Sequence, residues 1–258
     1  MFVSRAHLIE VFFEKLALNL KSETSKTYLG YAWWLLEPAL MVAVLYYIFA
    51  VFLARGMPDF IVFLVCGKIP FLWFSKSVTN ASNSIVAGKG LINQIAIPKP
   101  FFPLLSVFQD SVKQCFVFGF MLFFIYWYGM EVSWAWLLLV FVILAQFLLI
   151  IAIALIVSAI TPWLPDFRYL VATGMMALLF GSGIFYSYQE VLLERHQQIF
   201  LLNPLANLIN NYRLVLMENT APDWMALATI SMGSVAVIFL MIRFFKITDA
   251  AYARLVIQ

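Results

Sequence analysis

Charged side chains are scarce in this sequence: only 11% of its 258 residues are Asp, Glu, Lys or Arg. Ordinary soluble domains carry about 25%. Hydrophobic residues make up 64% of the chain, and the mean hydropathy is +0.96. A soluble fold of this composition would have too few polar side chains to cover its surface, and it would aggregate. The composition therefore predicts a protein that crosses a membrane several times.

Histidine and cysteine are also scarce, and their positions exclude common catalytic and metal sites. The two histidines, His7 and His196, fall on opposite sides of the predicted membrane, so they cannot pair or share a metal. Cys66 and Cys115 lie in apolar runs without a CxxC motif, which is typical of small hydrophobic residues. The sequence contains no HExxH, GxSxG or phosphate-loop motif. We expect this chain to carry no catalytic site and no metal.

Six apolar segments are long enough to cross a hydrocarbon core, which takes about 20 helical residues. They are residues 33–53, 60–78, 105–128, 134–160, 169–186 and 224–245. The second is weakened by Lys68 and Lys76, and the fifth by three glycines. These segments predict an all-α, polytopic membrane protein with six transmembrane helices. We expect a single domain, in which residues 1–28 form an amphipathic interfacial helix and residues 29–186 form spans one to five. Residues 187–223 should form short external re-entrant helices, and residues 224–258 span six and a cytoplasmic tail.

The basic residues predict the orientation of the chain. An even number of spans places both termini on one side, and ten of the 16 basic residues fall on that side. Only Arg55, Arg195 and Arg213 fall on the other side, and three lysines lie in or near spans. Because cytoplasmic loops carry the excess of Lys and Arg, both termini are predicted to face the cytoplasm. The charged N-terminal segment does not resemble a cleavable signal peptide.

Three non-spanning segments have helical patterns. Apolar residues in 8–20 repeat on one helical face, which predicts a helix lying in the membrane interface. Residues 87–102 contain an apolar turn followed by Pro98 and Pro100, which predicts a short cytoplasmic helix. In the long external segment, Asn203 and Pro204 are typical of an N-cap and a first helical residue.

Ionisable side chains near or within the spans are candidates for function, because burying a charge in lipid is costly. Asp110 and Lys113 share a helix face, and we favour a self-neutralising pair over a charge relay. We expect Lys68 and Lys76 to snorkel or to face a cavity. Glu37 lies beside the interfacial tryptophans, where gating and purely structural roles are both open.

Aromatic residues make up 17% of the chain, and many fall in predicted spans. Packing against lipid and interfacial belts explain most of them. Sugar rings also stack on aromatic planes, so the excess fits a conduit for glycan without establishing one.

An ordered set of motifs resembles the permease subunits of ABC transporters that export bacterial surface polysaccharides: O-antigen, capsule or teichoic acid. In chain order the motifs are Leu29-Gly30-Tyr31-Ala32-Trp33-Trp34-Leu35-Leu36-Glu37-Pro38, Gly67-Lys68-Ile69-Pro70-Phe71, Trp73-Phe74-Ser75, Ser82-Asn83-Ser84, Leu91-Ile92, Ile97-Pro98-Lys99, Asn203-Pro204 and Tyr212-Arg213. The resemblance covers essentially the whole chain. Lys21 to Thr27 stands where family members often carry an arginine-rich stretch, and Asp166-Phe167-Arg168 where they often carry an Arg-Asp pair.

The resemblance implies a homodimeric permease in the bacterial inner membrane, paired with two ATPase subunits that bind ATP and Mg²⁺. A lipid-linked polysaccharide would pass outward between the two permeases, and no nucleic acid would be bound. The residues that it implies for ATPase coupling are Glu14, Lys89, Leu91, Ile92, Ile95 and Lys99. Those that it implies for the channel and its gates are Trp33, Trp34, Glu37, Tyr46, Phe49, Phe71, Trp73, Phe74, Phe185, Tyr186 and Tyr212.

Three alternatives remain open from the sequence. One is an ABC exporter of drugs or lipids with the same architecture, and another is an ion-coupled secondary carrier. The third, a membrane-embedded enzyme that modifies glycans, would need a carboxylate or histidine pair on the external side. Glu190, Glu194 and Asp223 are the acidic candidates in the long external segment, and they form no convincing constellation.

Overall fold

The computed structural model describes residues 5–25, 28–52, 59–92, 94, 97–187 and 193–257. The helices are α1 (Arg5–Ser25), α2 (Trp33–Tyr46), α3 (Phe60–Ser82), α4 (Ser84–Ala87), α5 (Lys89–Ile92), α6 (Phe101–Tyr128), α7 (Leu139–Ile160), α8 (Phe167–Gly181), α9 (Glu194–Leu201), α10 (Pro204–Leu216) and α11 (Trp224–Ile257). Short 3-10 turns precede α2 and α7, and a π-helical turn, Tyr47–Phe52, continues α2. These described residues contain no β-strand, and the all-α prediction is confirmed.

Five helices are long and apolar enough to cross a membrane, within the residues described. They are Gly30–Phe49, Phe60–Ser82, Phe101–Tyr128, Trp134–Ile160 and Trp224–Asp249. The predicted fifth span, 169–186, is different, because α8 has only 15 helical residues. At 1.5 Å per residue α8 is about 22 Å long, whereas a hydrocarbon core is about 30 Å thick. The polytopic membrane fold is thus five long helices and one short one.

Helix α8 is followed by a non-helical segment, residues 182–186, which we call the α8 turn. Ser182, Ile184 and Phe185 are buried, and Gly183 has a left-handed φ of +67°. Irregular backbone at membrane depth is tolerated only where protein or a water-filled cavity surrounds it. The burial of this turn meets that condition, and the helix of the predicted fifth segment ends at Gly181 rather than at Tyr186.

Helix α3 occupies the centre of the bundle, where α2, α6, α7, α8 and α10 all pack against it. In the sequence, its lysines made it appear a weak span. In the structure, however, 72% of its most hydrophobic 18-residue stretch is buried, the largest share among the five long helices. Lys68 is 4% exposed, and its ammonium lies 5.5 Å from the centre of the Phe71 ring. A helix enclosed by other helices can hold a polar side chain that a lipid-facing helix could not.

The two ends of the bundle carry different non-spanning helices. At the α1 end, Phe12 of α1 packs edge-on against Phe101 and Phe108 near the start of α6. At the α10 end, α10 packs against the beginning of α3 and the turn before α7. Asn203 caps α10 by accepting a hydrogen bond from the Leu205 backbone N–H at 3.0 Å, as the sequence predicted.

The last helix extends beyond the span predicted for it. Instead of ending near Phe245, α11 continues to Ile257, and Tyr252 in the extension is fully buried. Its hydroxyl donates to the backbone oxygen of Ala159, near the end of α7, at 2.6 Å. Burial raises the pKa of Tyr252, so the phenol stays protonated near neutral pH. This contact makes the predicted tail an ordered part of the bundle.

Candidate functional site

An ion pair at the α1 end joins the first two long helices. Lys76 of α3 donates a hydrogen bond to the carboxylate of Glu37 of α2 at 2.6 Å. Both side chains are about two-fifths exposed, so the pair is open to the cavity or solvent beside it. Pro38 follows Glu37 inside α2 and is buried against its neighbours. Glu37 therefore has a basic partner within its own chain, which sequence reasoning did not identify.

A second charged cluster joins α1, α3 and α6. The Lys113 ammonium lies 2.8 Å from a carboxylate oxygen of Asp110 and 3.1 Å from one of Glu23. Asn80 of α3 donates to Asp110 at 2.9 Å. The Asp110–Lys113 pair is confirmed, and Glu23 extends it from α6 to α1.

An amide bridge strengthens the same junction. Gln109 donates to Glu23 at 3.0 Å and accepts a hydrogen bond from Asn19 at 3.3 Å. The cluster borders a cavity of about 620 Å³ between α1, α3 and α6. The residues that line it are Asn19, Ser22, Glu23, Asn80, Ser106, Gln109, Asp110 and Lys113. Helix α1 is thus held against α6 by these polar contacts as well as by its apolar face.

The paired tryptophans lie beside these charges. Trp33 is exposed, whereas Trp34 packs against Tyr31 and Phe116 with ring centres 5.0 and 5.9 Å away. A small cavity of about 80 Å³ brings the two tryptophans together with both charged clusters. Its lining residues are Glu23, Trp33, Trp34, Glu37, Pro38, Leu72, Trp73, Lys76, Asp110, Lys113, Gln114 and Val117.

Aromatic rings collect at the α10 end, where α2 and α8 both lose regular helical structure. Phe49, in the π-helical turn, stacks on Phe185 of the α8 turn with ring centres 4.9 Å apart. Phe180 lies 5.6 Å from Phe185, and Tyr186 packs near Phe200 of α9. The Tyr186 hydroxyl donates to the Phe180 backbone oxygen at 3.0 Å. Three of the predicted channel residues are therefore neighbours here.

Four other predicted channel residues pack inside the described chain. Phe71, Trp73, Phe74 and Tyr212 are at most 4% exposed. Trp73 stacks with Phe147, and Tyr212 stacks with Phe118. By contrast, Tyr46 is exposed on α2. A role for any of these residues in a channel stays a prediction.

Five of the six predicted coupling residues lie at the α1 end, with different exposures. Glu14 and Lys89 are exposed, Leu91 and Ile92 are half-buried, and Ile95 lies outside the described residues. Lys99 is 4% exposed: its ammonium lies 3.6 Å from Asp249 of α11 and donates to the Ile97 backbone oxygen. This ion pair therefore connects the segment before α6 to α11. Contact with an ATPase stays a prediction for all six.

Arg213 is a buried cation, which the sequence placed on the external side and within a family motif without assigning it a role. It is 7% exposed, and its guanidinium donates to the backbone oxygens of Ile184 and Phe63 at 3.2 and 3.4 Å. The guanidinium carbon lies 3.4 Å from the centre of the Phe63 ring. Burial lowers the pKa of Arg213 to about 9, which leaves the group charged at neutral pH. No described carboxylate lies within ion-pair distance of it.

No family model matches the chain, but individual relatives do. An O-antigen export system permease protein, RfbA, from Klebsiella pneumoniae is 28% identical over 204 residues, 78% of each protein. RfbA of Myxococcus xanthus is 27% identical over 217 residues, 83% of this chain and 84% of its own. The polysialic acid transport protein KpsM of Escherichia coli is 24% identical over 240 residues, 90% and 91% of the two chains.

The chain is a relative of polysaccharide-export ABC permeases. The resemblance inferred from the ordered motifs is confirmed by these matches, which extend over most of this chain and most of each relative. The long apolar helices agree with a multi-pass membrane protein, which is the architecture expected of a permease. The matches therefore favour a transport subunit over a membrane-embedded enzyme or a carrier of another class.

Proposed function

We propose that this chain is the permease subunit of an ABC transporter that exports a lipid-linked surface polysaccharide across the inner membrane. The relatives support the proposal, since proteins named for O-antigen export and for polysialic acid transport both match most of its length. ATP hydrolysis then takes place on a partner subunit, which binds ATP and Mg²⁺, while this chain provides the path and no catalytic group.

In this proposal the α1 end faces the cytoplasm and receives the partner ATPases. The charge asymmetry of the sequence supports that orientation. Exposed Glu14 on α1 and exposed Lys89 on α5 offer polar contacts to the ATPases at the same end. The ion pair between Lys99 and Asp249 links the segment before α6 to α11, so a displacement of this segment by the ATPases would be transmitted to α11.

Two copies of the chain enclose the path in this proposal. The exposed apolar faces of α2 and α8 support such pairing: α2 exposes Leu40, Met41 and Val44, and α8 exposes Leu170 and Met176. Both helices carry aromatic residues at the α10 end, where a sugar chain would leave. Tyr46 and the Phe49–Phe185 stack are then candidates for contact with the glycan.

Deletion of the gene in its host tests the proposal. We expect surface polysaccharide to disappear and the lipid-linked glycan to accumulate inside the cell, and a plasmid copy to restore export. Loss of drug resistance with normal surface glycan would instead support the drug or lipid exporter. Glycan export that persists without any ATPase and stops when the proton gradient is dissipated would support a secondary carrier.

A further inference from the structure

The α8 turn is held by polar groups from both ends of α10. At the beginning of α10, the Asn203 side-chain amide donates to the Gly181 backbone oxygen at 3.4 Å and to the Ser182 hydroxyl at 3.3 Å. Three turns later, Arg213 donates to the Ile184 backbone oxygen at 3.2 Å. The Gly181 oxygen belongs to the last turn of α8 and has no partner within the helix, and the Ile184 oxygen belongs to the non-helical turn. Asn203 and Arg213 therefore donate to backbone oxygens on both sides of the end of α8.

Arg213 also attaches this assembly to the central helix. Its guanidinium donates to the Phe63 backbone oxygen and stacks on the Phe63 ring. Gly67, one turn further along α3, makes room for it, because a Cβ atom there would lie 2.9 Å from a guanidinium nitrogen. One side chain thus joins α3, α10 and the α8 turn.

A planar guanidinium, charged at neutral pH, suits this position better than a lysine ammonium would. Arginine presents several donors in fixed geometry and stacks on aromatic faces, whereas lysine is a single flexible point charge. Burying a cation without a carboxylate partner is costly, and such a residue in a membrane protein is a candidate for function. The carbonyl oxygens and the Phe63 ring offset that cost in a way that fixes backbone position.

The position of the α8 turn determines where Phe185 lies. Phe185 is 5% exposed and stacks on Phe49, so the turn joins the outer ends of α2 and α8. Both helices also expose apolar side chains in the single chain, Leu40, Met41 and Val44 on α2 and Leu170 and Met176 on α8. A shift of the turn would separate the two rings and change the shape of the surface at this end.

We propose that Arg213 is a positioning residue for export. It holds the α8 turn against α3, and it links the turn to α10 so that the two move together as one unit. Its role in transport rests on the proposed function, whereas the attachment of the turn does not. Arg213→Met should release the turn while leaving α10 folded, and Arg213→Lys should preserve part of the attachment because it keeps one charged donor.

Thiol labelling measures this attachment directly. In a chain with Cys66→Ala and Cys115→Ser, Ser182→Cys reports on the α8 turn, since Ser182 is 1% exposed. The substitution weakens the hydrogen bond from Asn203 equally in every variant compared, so the variants differ only at the position tested. Ala206→Cys, in a separate chain, reports on α10, where Ala206 is 2% exposed. A membrane-impermeant maleimide is added to reconstituted vesicles with their partner ATPases, and the labelling rate is followed.

Arg213→Met is expected to speed labelling of Ser182→Cys about ten-fold, the factor that corresponds to about 1.4 kcal/mol, with Arg213→Lys intermediate. Ala206→Cys should stay protected, and Arg243→Met, the same change at an exposed arginine, should alter neither rate. An unchanged rate at Ser182→Cys in Arg213→Met would overturn the proposal. So would an equal rise at Ala206→Cys, because Arg213 would then hold the whole fold. Absence of glycan export by the unsubstituted chain would refute the proposed function and leave the labelling result intact.

Discussion

The Glu37 carboxylate and the Lys76 ammonium lie 2.6 Å apart and join α2 to the central helix beside Trp33 and Trp34. Because both side chains are about two-fifths exposed, the pair contributes less than about 1 kcal/mol to stability. The pair lies at the end where substrate is proposed to arrive. Because it stabilises the fold so little, it is better suited to break and re-form during transport than to stabilise the bundle.

We expect Glu37→Gln to reduce export roughly ten-fold, a barrier increase of about 1.4 kcal/mol, with only a small fall in melting temperature. The substitution keeps the shape of the side chain and removes the charge that Lys76 contacts. Export measured beside thermal unfolding in detergent separates the two effects. The charge swap Glu37→Lys with Lys76→Glu should recover part of the activity. Export that remains intact in Glu37→Gln would count against a gating role.

We expect Lys113→Met to destabilise the protein by about 3 kcal/mol, because it leaves the Asp110 carboxylate, 6% exposed, without a cation. Asn80 still donates to Asp110, which keeps the loss at the lower end of the range for broken buried pairs. Glu23→Gln is the matched control: Glu23 is 43% exposed, so its loss should cost less than about 1 kcal/mol. Thermal unfolding of both variants provides the comparison, and equal losses would contradict the assignment of Asp110 as the buried partner.

Gly183→Ala should destabilise the α8 turn by at least about 1–2 kcal/mol, the cost of a left-handed conformation for a residue with a side chain. Its φ is +67°, and a Cβ atom would also lie 3.0 Å from the Phe200 ring. Gly174→Ala is the control, since Gly174 is helical and nothing lies within 4 Å of its Cβ position. That change should be neutral or stabilising by up to about 1 kcal/mol. If both variants melt at the same temperature, the strain argument fails.

Tyr252→Phe should loosen the end of α11 by about 1 kcal/mol, because it removes the hydrogen bond to the Ala159 backbone oxygen. Hydrogen exchange of residues 246–257 measures the effect, which should appear as faster exchange confined to this segment. Tyr169→Phe, at an exposed position on α8, should leave exchange in that segment unchanged. Unchanged exchange in Tyr252→Phe would show that ring packing alone holds the helix end.

Features local in the sequence were predictable, whereas long-range contacts were not. Composition and apolar run lengths predicted the helical membrane fold, and Asn203 predicted the start of α10, because these depend on neighbouring residues. The shortness of α8 was not predictable, since its buried turn is stabilised by Arg213 and Asn203, which lie far along the chain. The pairing of Glu23 with Lys113 likewise spans 90 residues.

The burial of α3 illustrates the same limit. Lysines in an apolar run are normally a sign of a weak span, because lipid excludes charge. Lys68 is tolerated since the neighbouring helices, and not lipid, surround it. The burial of Trp73 and Tyr212 in the single chain also results from helix packing. A sequence pattern does not distinguish such a buried aromatic ring from one that faces a channel.

Transport by reconstituted vesicles decides whether this chain is an ATP-driven glycan permease. The chain and its partner ATPase are placed in vesicles with a radiolabelled lipid-linked polysaccharide on the ATPase side, and the fraction of glycan that becomes protected from external glycosidase is measured. An ATP-driven permease should give protection that requires ATP and Mg²⁺, is lost with a hydrolysis-deficient partner, and survives a proton ionophore. Protection that is independent of ATP, or that the ionophore abolishes, would show that this chain is not such a permease.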